Sequence, residues 1–151
     1  MSFLAAALSR VEDPQLSEEL QERADLVAHK IKFMDMVPVC LLDTTNAPVY
    51  ILSEVLQFAG AFLEPIPDGA VYLIYQQENR DLTALMREVP VMLQPEWPAV
   101  ANNRLILLNL DEYRWDRAEG LVELIEDLAE MIHPGHFVFG KEGSKWIRFE
   151  L

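Results

Sequence analysis

Residues 99–134 read AVANNRLILLNLDEYRWDRAEGLVELIEDLAEMIHP, and this stretch decides the fold. Arg104–Asn109 is an apolar run with a polar residue at each end, which is typical of a strand covered on both faces, as in a parallel sheet. Leu110–Trp115 is a polar and aromatic loop. A helix is predicted to follow, with Asp116 as its N-cap and Glu119 three residues later. The stretch is therefore a strand, a loop and a helix in series.

The predicted helix has an apolar side and an acidic side. Its apolar stripe recurs at helical spacing and consists of Leu121, Leu124, Ile125, Leu128 and Ile132. Pro134 and Gly135 end the helix. The acidic residues fall off the stripe, and we expect them to form a solvated face: Glu123, Glu126, Asp127 and Glu130.

Two earlier segments repeat the same order of elements. Val37–Leu42 and Ala70–Tyr75 are apolar strands, and their exit loops are Asp43–Ala47 and Gln76–Asn79. The first loop is followed by a helix with Pro48 in its first turn and Gly60 just after its end. The second loop is followed by a short helix lined by apolar residues, which are Leu82, Leu85, Met86 and Val89. Three such units predict a parallel sheet with helices on both faces.

The exit loops of parallel strands meet at the carboxyl edge of the sheet, which is where ligands bind in this kind of fold. The polar and aromatic side chains of the three loops are therefore the candidate ligand-binding residues. They are Asp43, Thr44, Asn46, Gln76, Gln77, Tyr113 and Trp115. The two aromatic residues either pack down as a local lid or stand up to stack on a ligand or partner, and the sequence leaves both alternatives open.

The two ends of the chain add further elements. Phe3–Arg10 is a short helix candidate, and a long helix opens at Asp13-Pro14 with an apolar stripe from Leu16 to Met34. Near the other end, Phe137–Phe149 is expected to form a β-hairpin with a glycine-bearing turn. Pro90–Leu93 is a candidate short strand.

The central stretch resembles the end of the carboxy-terminal lobe of ABC-transporter substrate-binding proteins with a helical backbone, especially their cobalamin-binding group. That family commonly ends with a PAV-x-N-x-R strand, an aromatic loop, an R-P-G-P-R segment and a helix reading LVEGLEILAEILHP. The matching residues here are Pro98-Ala99-Val100, Asn103-Arg104, Tyr113, Leu121-Val122-Glu123 and Ala129 to Pro134. Where the family has R-P-G-P-R, this chain has Asp116 to Gly120.

The resemblance implies an α/β fold, a three-layer Rossmann-like lobe with a mainly parallel sheet. It divides the chain into a helical segment, residues 1–35, packed on a lobe formed by residues 36–151. By this resemblance the long helix is the remnant of the connector between two lobes. The family is exported and has two lobes, whereas 151 residues leave room for one. A corrinoid- or siderophore-like ligand is implied only through the family, because function depends on sites placed on folds.

Composition excludes several classes of partner. A net charge of −13 argues against nucleic acid and anionic membrane surfaces, which attract lysine and arginine clusters. A run of about 18 apolar residues, enough to span a membrane, is absent from the sequence. The amino terminus has a short apolar run without a preceding basic segment, which predicts a cytoplasmic protein.

The residues also give little support for catalysis or metal binding. Glycine-rich phosphate loops are missing, and His133 and His136 have no nearby cysteine to complete a zinc set. Cys40 lies within an apolar strand, which predicts a buried, inert thiol. Asp43, Thr44 and Glu78 lack a histidine in any exit loop, so we expect no enzyme, no metal and no cofactor.

Two functions remain. In one, the chain is a small-molecule binding module with a corrinoid- or siderophore-like pocket. In the other, which we favour, it is an interaction protein whose open cleft edge pairs with another protein. That partner is either a second copy or a protein supplying the missing lobe. A homodimer is expected to bury the cleft edge or the Leu16–Met34 helix.

Overall fold

The computed structural model describes residues 3–150. Its helices are α1 (Phe3–Leu8), α2 (Pro14–Ile31), α3 (Ser53–Phe58), α4 (Leu82–Glu88), α5 (Pro98–Ala101) and α6 (Ala118–Ile132). Its strands are β1 (Val37–Leu42), β2 (Ala61–Leu63), β3 (Tyr72–Tyr75), β4 (Leu105–Leu108) and β5 (Trp146–Phe149). Three short 3-10 turns cover Pro67–Gly69, Pro90–Met92 and Leu110–Tyr113.

The five strands form one sheet in the order β2-β1-β3-β4-β5. The first four strands are parallel, and β5 pairs antiparallel with β4. In the central register, Leu41 lies beside Ile74, and Ile74 lies beside Ile106. The predicted parallel arrangement of the three apolar strands is confirmed.

Helices cover both faces of the sheet, as expected for strands that are apolar throughout. Helices α1, α2, α3 and α6 pack on the face that carries Val39, Leu41, Ile74 and Ile106. Helices α4 and α5 pack on the face that carries Cys40, Leu73, Tyr75 and Leu107. The three-layer α/β fold is therefore confirmed.

Helix α2 starts as predicted, with Pro14 in the first turn and Asp13 as the N-cap, whose side chain accepts a hydrogen bond from Gln15 N–H. Leu20, Ala24 and Val27 are buried, and α2 packs along α6. The lobe itself therefore covers the middle of the stripe, and the use of this helix in a dimer stays a prediction.

Two predicted boundaries are wrong because backbone amides bond elsewhere. The helix expected from Pro48 begins only at Ser53, since Val49 N–H donates to Leu41 O and Pro48 bridges Leu42. The predicted hairpin contributes a single strand, β5. The amides of Phe139 and Gly140 donate instead to the Glu130 carboxylate, at 2.5 Å and 3.3 Å.

Other local predictions are also corrected. Pro90–Leu93 is not a strand, because Pro90–Met92 forms a 3-10 turn. Arg117 rather than Asp116 occupies the N-cap position of α6, and no side chain caps that helix. The three-residue strand β2 is too short to give a periodic signal in the sequence.

The acidic side of α6 is not the solvated face that the sequence predicts. Glu126, Asp127 and Glu130 are buried, because α6 is covered by α2 on one side and by the chain beyond its end on another. Arg23 of α2 forms a two-point ion pair with Glu126, with Nη2–Oε1 at 2.5 Å and Nε–Oε2 at 3.2 Å. A buried carboxylate requires such a partner.

Replacing Arg23 by methionine should destabilise the protein by about 2 kcal/mol, because it leaves the Glu126 charge buried without a cation. The double variant Arg23→Met, Glu126→Met should recover most of that loss, since two apolar side chains need no pairing. Urea denaturation of the three proteins measures the effect. A single variant as stable as the parent would show that the pair is not needed.

Candidate functional site

The three exit loops meet at the carboxyl edge of the sheet and bond to one another. Thr44 donates to Gln77 Oε1 through its N–H at 3.2 Å and through its hydroxyl at 2.8 Å. Asn79 N–H donates to Asp111 Oδ2 at 2.8 Å. The structure thus brings the candidate residues of neighbouring loops together, but it uses their polar groups to hold the loops in place.

Asp43 closes its own loop. Its Oδ1 accepts hydrogen bonds from Thr45 N–H at 2.8 Å, the Thr45 hydroxyl at 2.6 Å and Ala47 N–H at 3.1 Å. Partial burial acts to raise the pKa of Asp43, but the bonds from Thr45 and Ala47 outweigh it and lower that pKa. The carboxylate is an ionised turn-forming group.

Asn46 and the two glutamines are also engaged within the lobe. Asn46 Oδ1 accepts a hydrogen bond from the buried Tyr75 hydroxyl at 2.7 Å, and its amide donates to Met92 O at 3.1 Å. Gln76 is buried, and the Oε1 of Gln77 is taken up by Thr44. These side chains position the loops rather than face outward.

Of the two roles that the sequence left open for Tyr113, a local lid or a stacking residue, the structure shows the lid. The side chain is 2% exposed, and its hydroxyl donates to Asp127 Oδ2 at 2.7 Å. The Lys145 ammonium lies over the ring, 5.1 Å from its centroid. Burial raises the pKa of the Tyr113 hydroxyl, and the neighbouring Asp127 charge raises it further. Tyr113 is therefore not available to stack on a ligand.

The Trp115 side chain packs in part against the core and in part lines a surface groove. It is partly exposed at a groove of about 550 Å³. We call this the carboxyl-edge groove and define it by Phe3, Arg10, Tyr50, Ile51, Glu54 and Trp115. Helix α1 forms one wall, and the connection between β1 and α3 forms another. Tyr50 is 58% exposed and Ile51 is 61% exposed, so the groove carries uncovered apolar area.

Sequence reasoning missed the residues contributed by α1 and by the β1–α3 connection. Tyr50 and Ile51 fell inside the helix predicted from Pro48, off its apolar face. A signal was present, because four consecutive apolar residues from Val49 to Leu52 cannot all lie on one face of a helix. The position of α1 depends on tertiary packing of Leu4, Ala7 and Leu8, which no local pattern reveals.

The rim of the groove carries charges of both signs. A second cavity of about 640 Å³ adjoins the first and shares Ala7, Arg10 and Asp116 with it. Its lining adds cationic Arg117 and acidic residues including Glu12 and Glu119. The two cavities are lined by two arginines and five carboxylates, so their combined rim is acidic.

The backbone that leads to Trp115 lies directly on α6. Arg114 adopts a left-handed conformation, φ 52°, and its carbonyl accepts a hydrogen bond from Arg117 N–H at 3.0 Å. A Cβ atom at Gly120 would overlap the carbonyl oxygens of Tyr113 and Arg114. Only glycine allows this close approach, which sets the position of Trp115.

Groups suited to metal or covalent chemistry do not assemble at this edge. Residues 3–150 contain no cluster of three or more His, Cys, Asp and Glu side chains placed to hold a metal ion. Cys40 is buried within β1, and burial, with Glu64 nearby, raises the pKa of its thiol to about 12. His133 is also buried. Burial lowers the pKa of its ring, and the contact with Gly60 O at 3.4 Å opposes that shift only in part.

Solved structures of binding proteins share this fold. The chain matches the TroA-like periplasmic binding protein FepB from Veillonella parvula with a TM-score of 0.59 and 15% identity, over 82% of this chain and 47% of that chain. It matches an ABC transporter solute binding protein from Sulfurospirillum deleyianum with a TM-score of 0.57 and 15% identity, over 83% of this chain and 46% of that chain. The chain therefore spans about half the length of each. The predicted fold of a single lobe of such proteins is confirmed.

Comparison by sequence alone does not assign this chain to a family. Neither a protein-family model nor a curated protein matches this chain. In the region from residue 3 to residue 150, none of the helices is both long enough and apolar enough to cross a membrane. The relation to solute-binding proteins is one of fold.

Substituting Gly120 by alanine should destabilise the protein by about 2 kcal/mol or more, because the new methyl group overlaps backbone atoms that cannot rotate away. At an ordinary helical position the same change stabilises by about 1 kcal/mol, so the sign alone is informative. Thermal or urea unfolding measures it. The matched control Glu119→Ala, at an exposed neighbouring position, should change stability by no more than about 1 kcal/mol. A stabilised Gly120→Ala protein would contradict the contact.

Proposed function

We propose that this chain is a non-catalytic interaction lobe that self-associates through the carboxyl-edge groove. The observation that carries the proposal is the exposure of Tyr50, Ile51 and Trp115 at one groove, beside exit loops whose polar side chains bond to each other. Exposed aromatic residues in a concave surface are the usual anchors of protein interfaces.

The internal bonding of the exit loops argues against a small polar ligand. Such ligands are fixed by several polar groups that converge on a pocket. Here Asp43, Asn46 and Gln77 are already occupied by Thr45, Tyr75 and Thr44. The edge therefore offers a ligand apolar area and a charged rim. This supports a cleft that has diverged from ligand binding.

Charges of both signs on the rim support a second copy as the occupant of this surface. In two-lobed binding proteins the cleft edge of each lobe is covered by the other lobe, so an edge of this kind is suited to a protein partner. Most soluble oligomers close as two-fold dimers, in which identical patches face each other. A rim bearing both arginines and carboxylates can then pair opposite charges across the axis, which offsets the repulsion between two chains of net charge −13.

The alternative is a small-molecule module of corrinoid- or siderophore-like specificity. It is supported by the volume of the groove, about 550 Å³, which lies within the range of about 300–1,000 Å³ usual for ligand pockets. A separate chain that supplies the missing lobe would use the same edge. The cytoplasmic location of this chain stays a prediction. The Veillonella protein is periplasmic, and we do not transfer its location to this chain.

We expect sedimentation velocity and light scattering of the purified protein to give a dimer at micromolar concentration, with an interface of about 1,000 Å² or more. Trp115→Ala should weaken the dimer by about 2 kcal/mol, roughly a 30-fold increase in Kd, as at an aromatic hot spot. Tyr50→Ala should act in the same direction.

The matched control is Phe33→Ala. Phe33 is 74% exposed but lies just before β1, at the opposite edge of the sheet, so its removal should leave the dimer unchanged. A 17.3 kDa monomer at tens of micromolar would reject self-association. In that case, quenching of tryptophan fluorescence by a corrinoid in the parent protein, and less quenching in Trp115→Ala, would favour the small-molecule alternative.

A further inference from the structure

Tyr113 and Asp127 form a buried pair at the base of the segment that carries Trp115. The Asp127 side chain belongs to α6 and is 1% exposed. Its Oδ2 accepts the Tyr113 hydroxyl, whereas its Oδ1 has no hydrogen-bond partner among residues 3–150. An ionised carboxylate has about four acceptor sites. The carboxylate is therefore buried with a single donor.

The charged groups around the pair do not neutralise Asp127 directly. Those that face the pair come from the turn before Trp115, from α6 and from the segment before β5, and they are Glu112, Glu123, Glu130, Lys141 and Lys145. Both lysines are paired with Glu123. Two arginines reach α6 at other points: Arg23 of α2 binds Glu126, and Arg148 of β5 donates to the carbonyls of Glu130 and Met131.

Burial raises the pKa of Asp127 to about 6. The Tyr113 hydrogen bond and Lys141 oppose this effect, while Glu123 and Glu130 add to it. Asp127 therefore changes charge between mildly acidic and neutral solution. Among residues 3–150, Tyr113 is the hydrogen-bond donor to its carboxylate.

We propose that this pair is a proton-sensitive latch on the Trp115 loop, residues 110–117. Neutral Asp127 holds Tyr113 and the loop against α6, and ionised Asp127 favours opening, because opening returns the carboxylate to water. Trp115 lies two residues beyond Tyr113, so the latch controls how firmly one wall of the carboxyl-edge groove is held.

The direction of the effect follows from proton linkage. The pKa of Asp127 is about 6 in the closed loop and near 4, its ordinary value, once the loop is open. The proton thus stabilises the closed loop fully below about pH 4, and this stabilisation is lost as the pH rises through about 6. From about pH 5 to about pH 7.5 the opening equilibrium should increase roughly tenfold.

Hydrogen–deuterium exchange of residues 110–117, divided by the exchange rate of an unstructured peptide of the same sequence, measures this opening. Protection should fall roughly tenfold between about pH 5 and about pH 7.5 in the parent protein. Asp127→Asn keeps an oxygen acceptor for Tyr113 without the charge, so its protection should not depend on pH. Tyr113→Phe removes the bond and should lower protection at both pH values.

The control Glu22→Gln removes an exposed carboxylate from α2 and should keep the pH dependence of the parent. Equal protection of the parent at both pH values, or the same pH dependence in Asp127→Asn, would overturn the latch. Its influence on dimer formation rests on the proposed function, but the exchange is read on dilute monomer. A monomer whose loop responds to pH would support the latch and reject self-association. A dimer whose loop does not respond to pH would support self-association and reject the latch.

Discussion

The rest of the structure depends on the burial of helix α6 along more than its apolar stripe. Once the acidic side of this helix is covered, each carboxylate needs a partner from another part of the chain. Glu126 forms an ion pair with Arg23 of α2, and Asp127 accepts a hydrogen bond from the Tyr113 hydroxyl. Glu130 accepts hydrogen bonds from the amides of residues 139 and 140. Glu123 takes Lys145, next to β5. One helix thereby fixes the long amino-terminal helix, an exit loop and the carboxy-terminal segment.

This requirement explains both the accurate and the inaccurate parts of the sequence prediction. Strands β1, β3 and β4 and the stripe of α6 were predictable, because a continuous apolar run and a 3.6-residue period are local properties. The period says which side of α6 is apolar, but not whether the other side is also covered. Glu126, Asp127 and Glu130 were assigned to solvent for that reason. The hairpin prediction failed from the same cause, since Glu130 binds the amides of Phe139 and Gly140 that a hairpin would have paired.

The location of the candidate site at one edge of the sheet was predictable, but the contacts within it were not. Parallel strands bring the ends of β1, β3 and β4 to one edge, so the three loops had to meet. The sequence could not reveal that Thr44 would bond Gln77 or that Asn46 would bond Tyr75, because these pairs lie 33 and 29 residues apart. Nor could it place Tyr50 and Ile51 at the groove, since that depends on where α1 packs. For Trp115 the sequence left a lid and a stacking role open, and in the structure this side chain packs in part against the core and in part lines the groove.

The arrangement of the edge separates what holds the lobe together from what it can present to a partner. Loop positions are set by hydrogen bonds within the lobe, such as those of Asp43, Asn46 and Tyr113, whereas the side chains of Tyr50, Ile51 and Trp115 line the groove. A change in the first group alters the shape of the edge and costs stability. A change in the second group leaves no buried polar atom unpaired, but at Trp115 it also removes packing against the core. Such an edge can present different side chains to solvent on the same fold.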